Sequence, residues 1–272
     1  MRLRIRHETQ YAYTSPALRA IETLKLTPRG HDGQFVVDWR LDVDRDCRLE
    51  QSADAFGNTM HSFTVEGPLD ELLIVAEGRV ETSETNGVVT GQVEKFPPIV
   101  FLRETALTAA DPAICDFAAG VKAGAGGDRL NILHALAAAV HDAMAFEVDA
   151  TRPRTKAAEA FAAKRGVCQD FAHITIAAAR HLGYPARYVA GYLFRPEGGE
   201  QPAGHAWAEM LVEGIGWIGF DAANALCPTE AYVRVAIGLD GNDAAPVRGA
   251  RFGGEGESLS VRVWVEELDG RR

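Results

Sequence analysis

Residues 3–13 read LRIRHETQYAY, and their alternation narrows what this chain can fold into. Leu3, Ile5, His7, Thr9, Tyr11 and Tyr13 fall on one side of an extended segment, and Arg4, Arg6, Glu8 and Gln10 on the other. A period of two is that of a half-buried strand. The pattern recurs in FVVDWRLDVD, with Phe35, Val37, Trp39, Leu41 and Val43 on one side. It returns after the Gly57-Asn58 turn, from Met60 to Val65, and again in ELLIVAEGRVET. Short strands punctuated by Gly, Asn and Pro predict an antiparallel sheet or sandwich over residues 1–100.

Pro97-Pro98 cannot continue a strand ladder and marks the expected linker. The hydrophobic period then changes. Asp111 and Pro112 supply an N-cap and a first-turn proline for one helix. In DRLNILHALAAAVHDAMAF, Leu130, Leu133, Leu136, Ala137, Val140 and Met144 lie near one helical face. Thr155 is placed to cap a third helix. A fourth runs from Gly166 to Leu182 and stops at Gly183 and Pro185. ARYVAGYLF is a strand, RPEGGEQPAG a mobile polar loop, and HAWAEMLV with GWIGFD a hairpin. Helices followed by strands make an α+β domain rather than a β-α-β repeat. The expected division is a β-rich domain over 1–100 and an α+β core over 101–272.

Composition excludes several functions. The formal net charge of -10 is wrong for a protein that meets nucleic-acid phosphates or an anionic membrane. The most apolar run, NILHALAAAVHDAMAF, is too short and too polar to span a bilayer. MRLRIRHETQYAY has no apolar h-region of a signal peptide. Cys47, Cys115, Cys168 and Cys227 are scattered without CxxC spacing, as expected of reduced thiols. The expected location is the cytoplasm.

One cysteine stands apart. In KRGVCQDFAHI, Val167, Phe171, Ile174, Ala178 and Leu182 form the buried stripe of the fourth helix. Cys168 lies off it, beside Ala172, Thr175 and Ala179. With Gly166 as N-cap, Cys168 falls in the first turn. There, unpaired N–H groups and the positive end of the helix dipole favour a thiolate. A packed core cysteine remains an alternative on these grounds. So does a metal ligand, although Cys168, His173, His181, His205 and Cys227 form no recognised ligand spacing. His173 and His181 read as solvated or capping side chains.

A thiol nucleophile needs a base, and the base needs an orienting group. His205 opens the first strand of the hairpin and Asp221 closes the second. A three-residue loop, Val212-Glu213-Gly214, would set Leu211 opposite Ile215 and His205 directly opposite Asp221, with glycine at the left-handed end of the loop. A two-residue loop would put Asp221 opposite Ala206 instead.

The blocks RGVCQDFAHITIAAARHLGYPARYVAGYLF, HAWAEM and GWIGFDAAN together resemble the core of the bacterial transglutaminase-like superfamily, which shares its chemistry with papain-like cysteine proteases. YAYTSPALRAIETLKLTPR and DAFGNTMHSF are similar to the β-rich domain that precedes this core in many bacterial members, and YVRVAIGLDGNDAAPVRG to their C-terminal segment. The resemblance implies a cysteine-proteinase-type fold with Cys168 as nucleophile, His205 as general base and acid, and Asp221 as the group orienting the imidazole. Where the family often has Asp-Pro-Thr-Asn, this chain has Asp221-Ala222-Ala223-Asn224, which leaves the backbone after the hairpin in question. The implied reaction is acyl transfer from a peptide, protein or small amide through a Cys168 thioester. Hydrolysis is favoured over amine cross-linking. No calcium, other metal or cofactor is expected. The alternative is a binding module that keeps the fold without catalysis.

Overall fold

The computed structural model describes residues 1–268. The N-terminal part is built on two long strands. β1 (Arg2–Thr27) carries the period-two face of the sequence, with Leu3, Ile5, His7, Thr9, Tyr11 and Tyr13 all buried. β2 (Gln34–Val43), β3 (Glu50–Ala53) and β4 (Thr59–Thr82) follow, and β4 pairs with each of the other three. The two segments expected on either side of residue 68 are thus one strand. Register shifts between Ala12 and Arg19 bend the β1–β4 ribbon, as bulges do. Both halves of the ribbon then enclose a core that includes Tyr11, Leu24, Phe63 and Leu72. In β2 the alternation fails at one point. A shift between Val36 and Asp38 turns Phe35 outward, away from the side that Trp39, Leu41 and Val43 share.

β5 (Val88–Val89) leaves this sheet, and a 3-10 turn over Pro98–Leu102 buries Phe101. α1 (Pro112–Ala125) and α2 (Arg129–Ala143) begin on Asp111 and Asp128, whose carboxylates accept from Ile114 N–H and Leu130 N–H. β6 (Ala145–Phe146), α3 (Ala157–Ala163) and β7 (Arg165–Gly166) lead into α4 (Cys168–His181). α3 is capped at Lys156, whose N–H is taken by Glu159, and not at Thr155. Every residue of α4 from Asp170 to Arg180 is buried. The stripe read from the sequence is therefore only part of its buried surface. α4 is a central helix, with α1–α3 on one side and a sheet on the other.

That sheet contains β8 (Ala186–Leu193), β10 (His205–Val212), β11 (Gly216–Phe220) and β12 (Tyr232–Gly238), with β9 (Glu200–Gln201) between β8 and β10 in sequence. Its strand order is β12-β8-β10-β11-β5, antiparallel throughout. β13 (Val247–Phe252) and β14 (Glu255–Glu267) then return to pair with β1. The fold is α+β, as expected, but the division near residue 100 is crossed in both directions. β5 joins the core sheet, and the last two strands join the N-terminal one. RPEGGEQPAG is also less free than its composition suggests, because β9 pairs with Val263 and Trp264 of β14. Among the described residues no helix is long and apolar enough to cross a membrane.

Candidate active site

Cys168 is the first residue of α4 and Val167 is its N-cap. At that position the backbone N–H has no carbonyl four residues back to bond to. The start of the helix is held by Asp170. Its Oδ2 accepts from Val167 N–H at 2.8 Å and from Thr151 Oγ1 at 2.6 Å. Burial pushes the Asp170 carboxyl up, against these hydrogen bonds. Gly166 makes room for this carboxyl, since a Cβ there would lie 2.5 Å from Asp170 Oδ2. Gln169 anchors the same turn by donating to Pro153 O at 3.0 Å. Cys168, His205 and Tyr188 line one cavity of about 400 Å³.

His205 and Asp221 meet, but not by the expected register. The loop has three residues, yet they are Glu213, Gly214 and Ile215. Val212 pairs with Gly216 and Ala208 with Phe220. Positive φ at both Gly214 and Gly216 fits this turn, and Ile215 is left exposed at its tip. Continued past Phe220, the ladder would bring Asp221 opposite Trp207, two residues beyond His205. Shifting the pairing by two residues preserves the face. The contact survives as a diagonal, with His205 Nε2 2.6 Å from Asp221 Oδ2.

Four further donors hold this carboxylate, among them the N–H of Asn224 on Oδ1 at 3.3 Å. Asn224 Nδ2 donates to Asp221 Oδ2 at 2.6 Å and Tyr232 Oη at 2.7 Å. The N–H of Ala223 reaches Oδ1 at 3.0 Å. Asp221 N–H bonds Leu226 O at 2.8 Å, closing the turn that follows the strand. The Ala-Ala pair thus preserves a tight turn in which Asn224 returns to the aspartate. Trp207 stacks on the imidazole, with ring centroids 6.2 Å apart.

Burial opposes charge on His205. The hydrogen bonds and negative charge of Asp221 and Cys168 outweigh it, and the imidazole is pushed up to about 9. Burial likewise opposes ionisation of Asp221, but His205, Asn224 and Tyr232 hold its carboxyl below the usual range. With Nε2 committed to Asp221, Nδ1 is the ring nitrogen left to serve the cavity that Cys168 shares.

The structure thus brings Cys168, His205 and Asp221 together. Tyr232 and Asp170 were not singled out by the sequence reading. Asp170 carried a local signal, an acidic residue three positions after the cap. Tyr232 carried none, since it reaches Asp221 from another strand. His173 is neither solvated nor capping. It is fully buried, its Nε2 accepts from Gly241 N–H at 3.0 Å, and burial holds it down to about 4. Among the described residues no three His, Cys, Asp or Glu side chains cluster as metal ligands.

Comparisons with known proteins bear on the fold that carries this arrangement. Residues 116–222 match the family model of the transglutaminase-like superfamily, and residues 3–81 that of the bacterial transglutaminase-like N-terminal region. The chain thus carries a transglutaminase-like core preceded by a bacterial transglutaminase-like N-terminal region. It is 29% identical over 282 residues to uncharacterized protein ML0607 of Mycobacterium leprae, covering 98% of this chain and 99% of that one. It is also 29% identical over 294 residues to uncharacterized protein Rv2569c of Mycobacterium tuberculosis, covering 99% and 94%. A crystal structure of a candidate cysteine protease from Cytophaga hutchinsonii superposes with a TM-score of 0.80 over 100% of this chain and 92% of that one. At 22% identity, that likeness is one of fold.

Proposed function

We propose that this chain is a cysteine-dependent acyl-transfer enzyme acting on a peptide, protein or small-amide carbonyl, with hydrolysis as its principal outcome. The observation that carries the reading is the buried His205–Asp221 hydrogen bond at a cavity that Cys168 and His205 both line.

The chemistry follows from the positions of the protons. His205 Nδ1 holds the proton given up by the Cys168 thiol, and the thiolate Sγ attacks the carbonyl carbon. The Cys168 N–H, unused by the helix, donates to the developing oxyanion. Collapse breaks the C–N bond while the imidazolium returns its proton to the leaving amine, giving a thioester. Water then attacks with His205 as base, the C–S bond breaks, and the thiol is restored. Asp221 keeps Nε2–H engaged, so that the other nitrogen faces the sulfur.

The test is a partition experiment in ¹⁸O-labelled water. An amide donor is supplied with and without a primary amine. The expected product is the acid carrying one ¹⁸O atom, released after a transient acyl adduct on Cys168. Predominant transfer to the amine would make the protein a cross-linking enzyme. No adduct under either condition would favour a binding module.

A further inference from the structure

The cavity that contains the sulfur is not formed by the core alone. β1 and β14 pair so that His7 faces Val263, Thr9 faces Val261 and Tyr11 faces Leu259. Directly opposed residues share a face of a ladder. This face runs from the contact between the two sheets out into the cavity. Val263 is buried in the core, Val261 is half-buried, and Leu259 is 57% exposed. His7, Thr9, Tyr11, Leu259 and Val261 line the cavity opposite Cys168 and His205. The apolar strip continues the core beyond the last residue that covers it.

The charge of the cavity is equally specific. The chain has ten more acidic than basic side chains, yet among the described residues no carboxylate lines this space. Its one lysine, Lys25, is ion-paired with Asp54 at 2.7 Å. His7 is held between Tyr192 Oη at 3.0 Å and Thr9 Oγ1 at 3.1 Å, and burial lowers its imidazole to about 4, so it is neutral near pH 7. A charged ligand side chain laid on the strip of Thr9, Tyr11, Val261 and Leu259 would be desolvated without a partner among those residues.

We propose that the N-terminal sheet is one wall of the substrate site, and that the strip from Thr9–Val261 to Tyr11–Leu259 receives an uncharged apolar or aromatic side chain on the residue bearing the reactive carbonyl. This rests on the thiol-enzyme reading, because an acyl group bonded to Cys168 Sγ must occupy the space that the sulfur faces. On this inference the first domain is part of the catalytic unit, and it sets which amides the core attacks.

The test uses four N-acyl aminoacyl amides that differ only in the residue bearing the carbonyl: Leu, Phe, Lys or Glu. For the full-length protein, kcat/KM is expected to be about 10- to 100-fold higher for Leu and Phe than for Lys and Glu. Leu259→Lys, at an exposed position that tolerates it, is expected to reverse the order of the Leu and Glu donors, with thermal melting unchanged. Acyl adducts on Cys168 from all four donors at similar rates would overturn the inference and leave the thiol reading standing. The same follows if Leu259→Lys leaves the Leu-to-Glu ratio as it was. Adducts from none of the donors would overturn both.

Discussion

Two buried charge clusters share one face of β10, with Trp207 between them. His205, Trp207 and Glu209 alternate along the strand and therefore point the same way. At one end, His205 binds Asp221. At the other, the Glu209 carboxylate takes Arg187 Nε and Arg234 Nε, both at 2.6 Å. Arg187 also reaches Glu94 at 2.8 Å and lies over the Trp217 ring. Burial opposes ionisation of Glu209, but the two guanidinium groups outweigh it and hold its carboxyl down to about 2. Both clusters bury charge and both shift a titration. They differ in what is left unengaged. The oxygens of Glu209 are taken by fixed partners. His205 has a second ring nitrogen outside its bond to Asp221, and it lines a cavity together with Cys168. A buried ion pair by itself marks structure as readily as chemistry.

The largest expected effect separates the two ends outright. Cys168→Ala should lower turnover by more than about a thousandfold, with no acyl adduct by mass spectrometry and thermal melting little changed. Wild-type turnover in this variant would break the contrast.

Asp221→Asn should lower kcat by about 10²- to 10⁴-fold. Its effect on stability should also depend on pH. The folded pKa of His205, about 9, lies above the ordinary value of 6.5. The stabilisation from its charged form is therefore fully present below about pH 6.5 and lost as pH rises through about 9. Urea unfolding at pH 6 and pH 10 should show the gap between wild type and Asp221→Asn narrowing at the higher pH. A constant gap would mean that the imidazolium contributes nothing to it.

Glu209→Gln should have the converse signature. Removing the carboxylate leaves two buried guanidinium groups facing each other, and a broken buried pair costs about 3–5 kcal/mol. Denaturant titration should show that loss, while kcat per folded molecule stays close to wild type. A selective fall in kcat would mean that Trp207 does not insulate the two clusters.

The smallest effect is expected from Tyr232→Phe. It removes one of several hydrogen bonds on Asp221, worth about 0.5–1.5 kcal/mol. The fall in kcat should be tenfold or less, and KM should be unchanged.

These residues differed in how far the sequence revealed them. The β1 face was readable because one side of the strand is buried from Leu3 to Tyr13, before the bend, which enforces period two there. Phe35 was not, because a single bulge flips the faces and leaves no compositional trace. The hairpin loop had the expected length but began one residue later, at Glu213. Apolar Ile215 sits at its tip, and glycines at 214 and 216 allowed both placements. The parity of His205 and Asp221 did not depend on that choice, so their contact was legible while their exact pairing was not. Tyr232, Glu209 with its arginines, and the pairing of β14 with β1 are contacts across long sequence separations. Local pattern carries no information about them.

The most direct test of the central claim is labelling by a thiol-reactive electrophile with mass mapping, on wild type and His205→Ala. Burial and acidic neighbours raise the Cys47, Cys115 and Cys227 thiols, which disfavours their reaction near neutral pH. The expected result is selective modification of Cys168, clearly slowed in the variant. Equal modification of all four cysteines, or a Cys168 rate unaffected by loss of the imidazole, would contradict an activated thiol at this site.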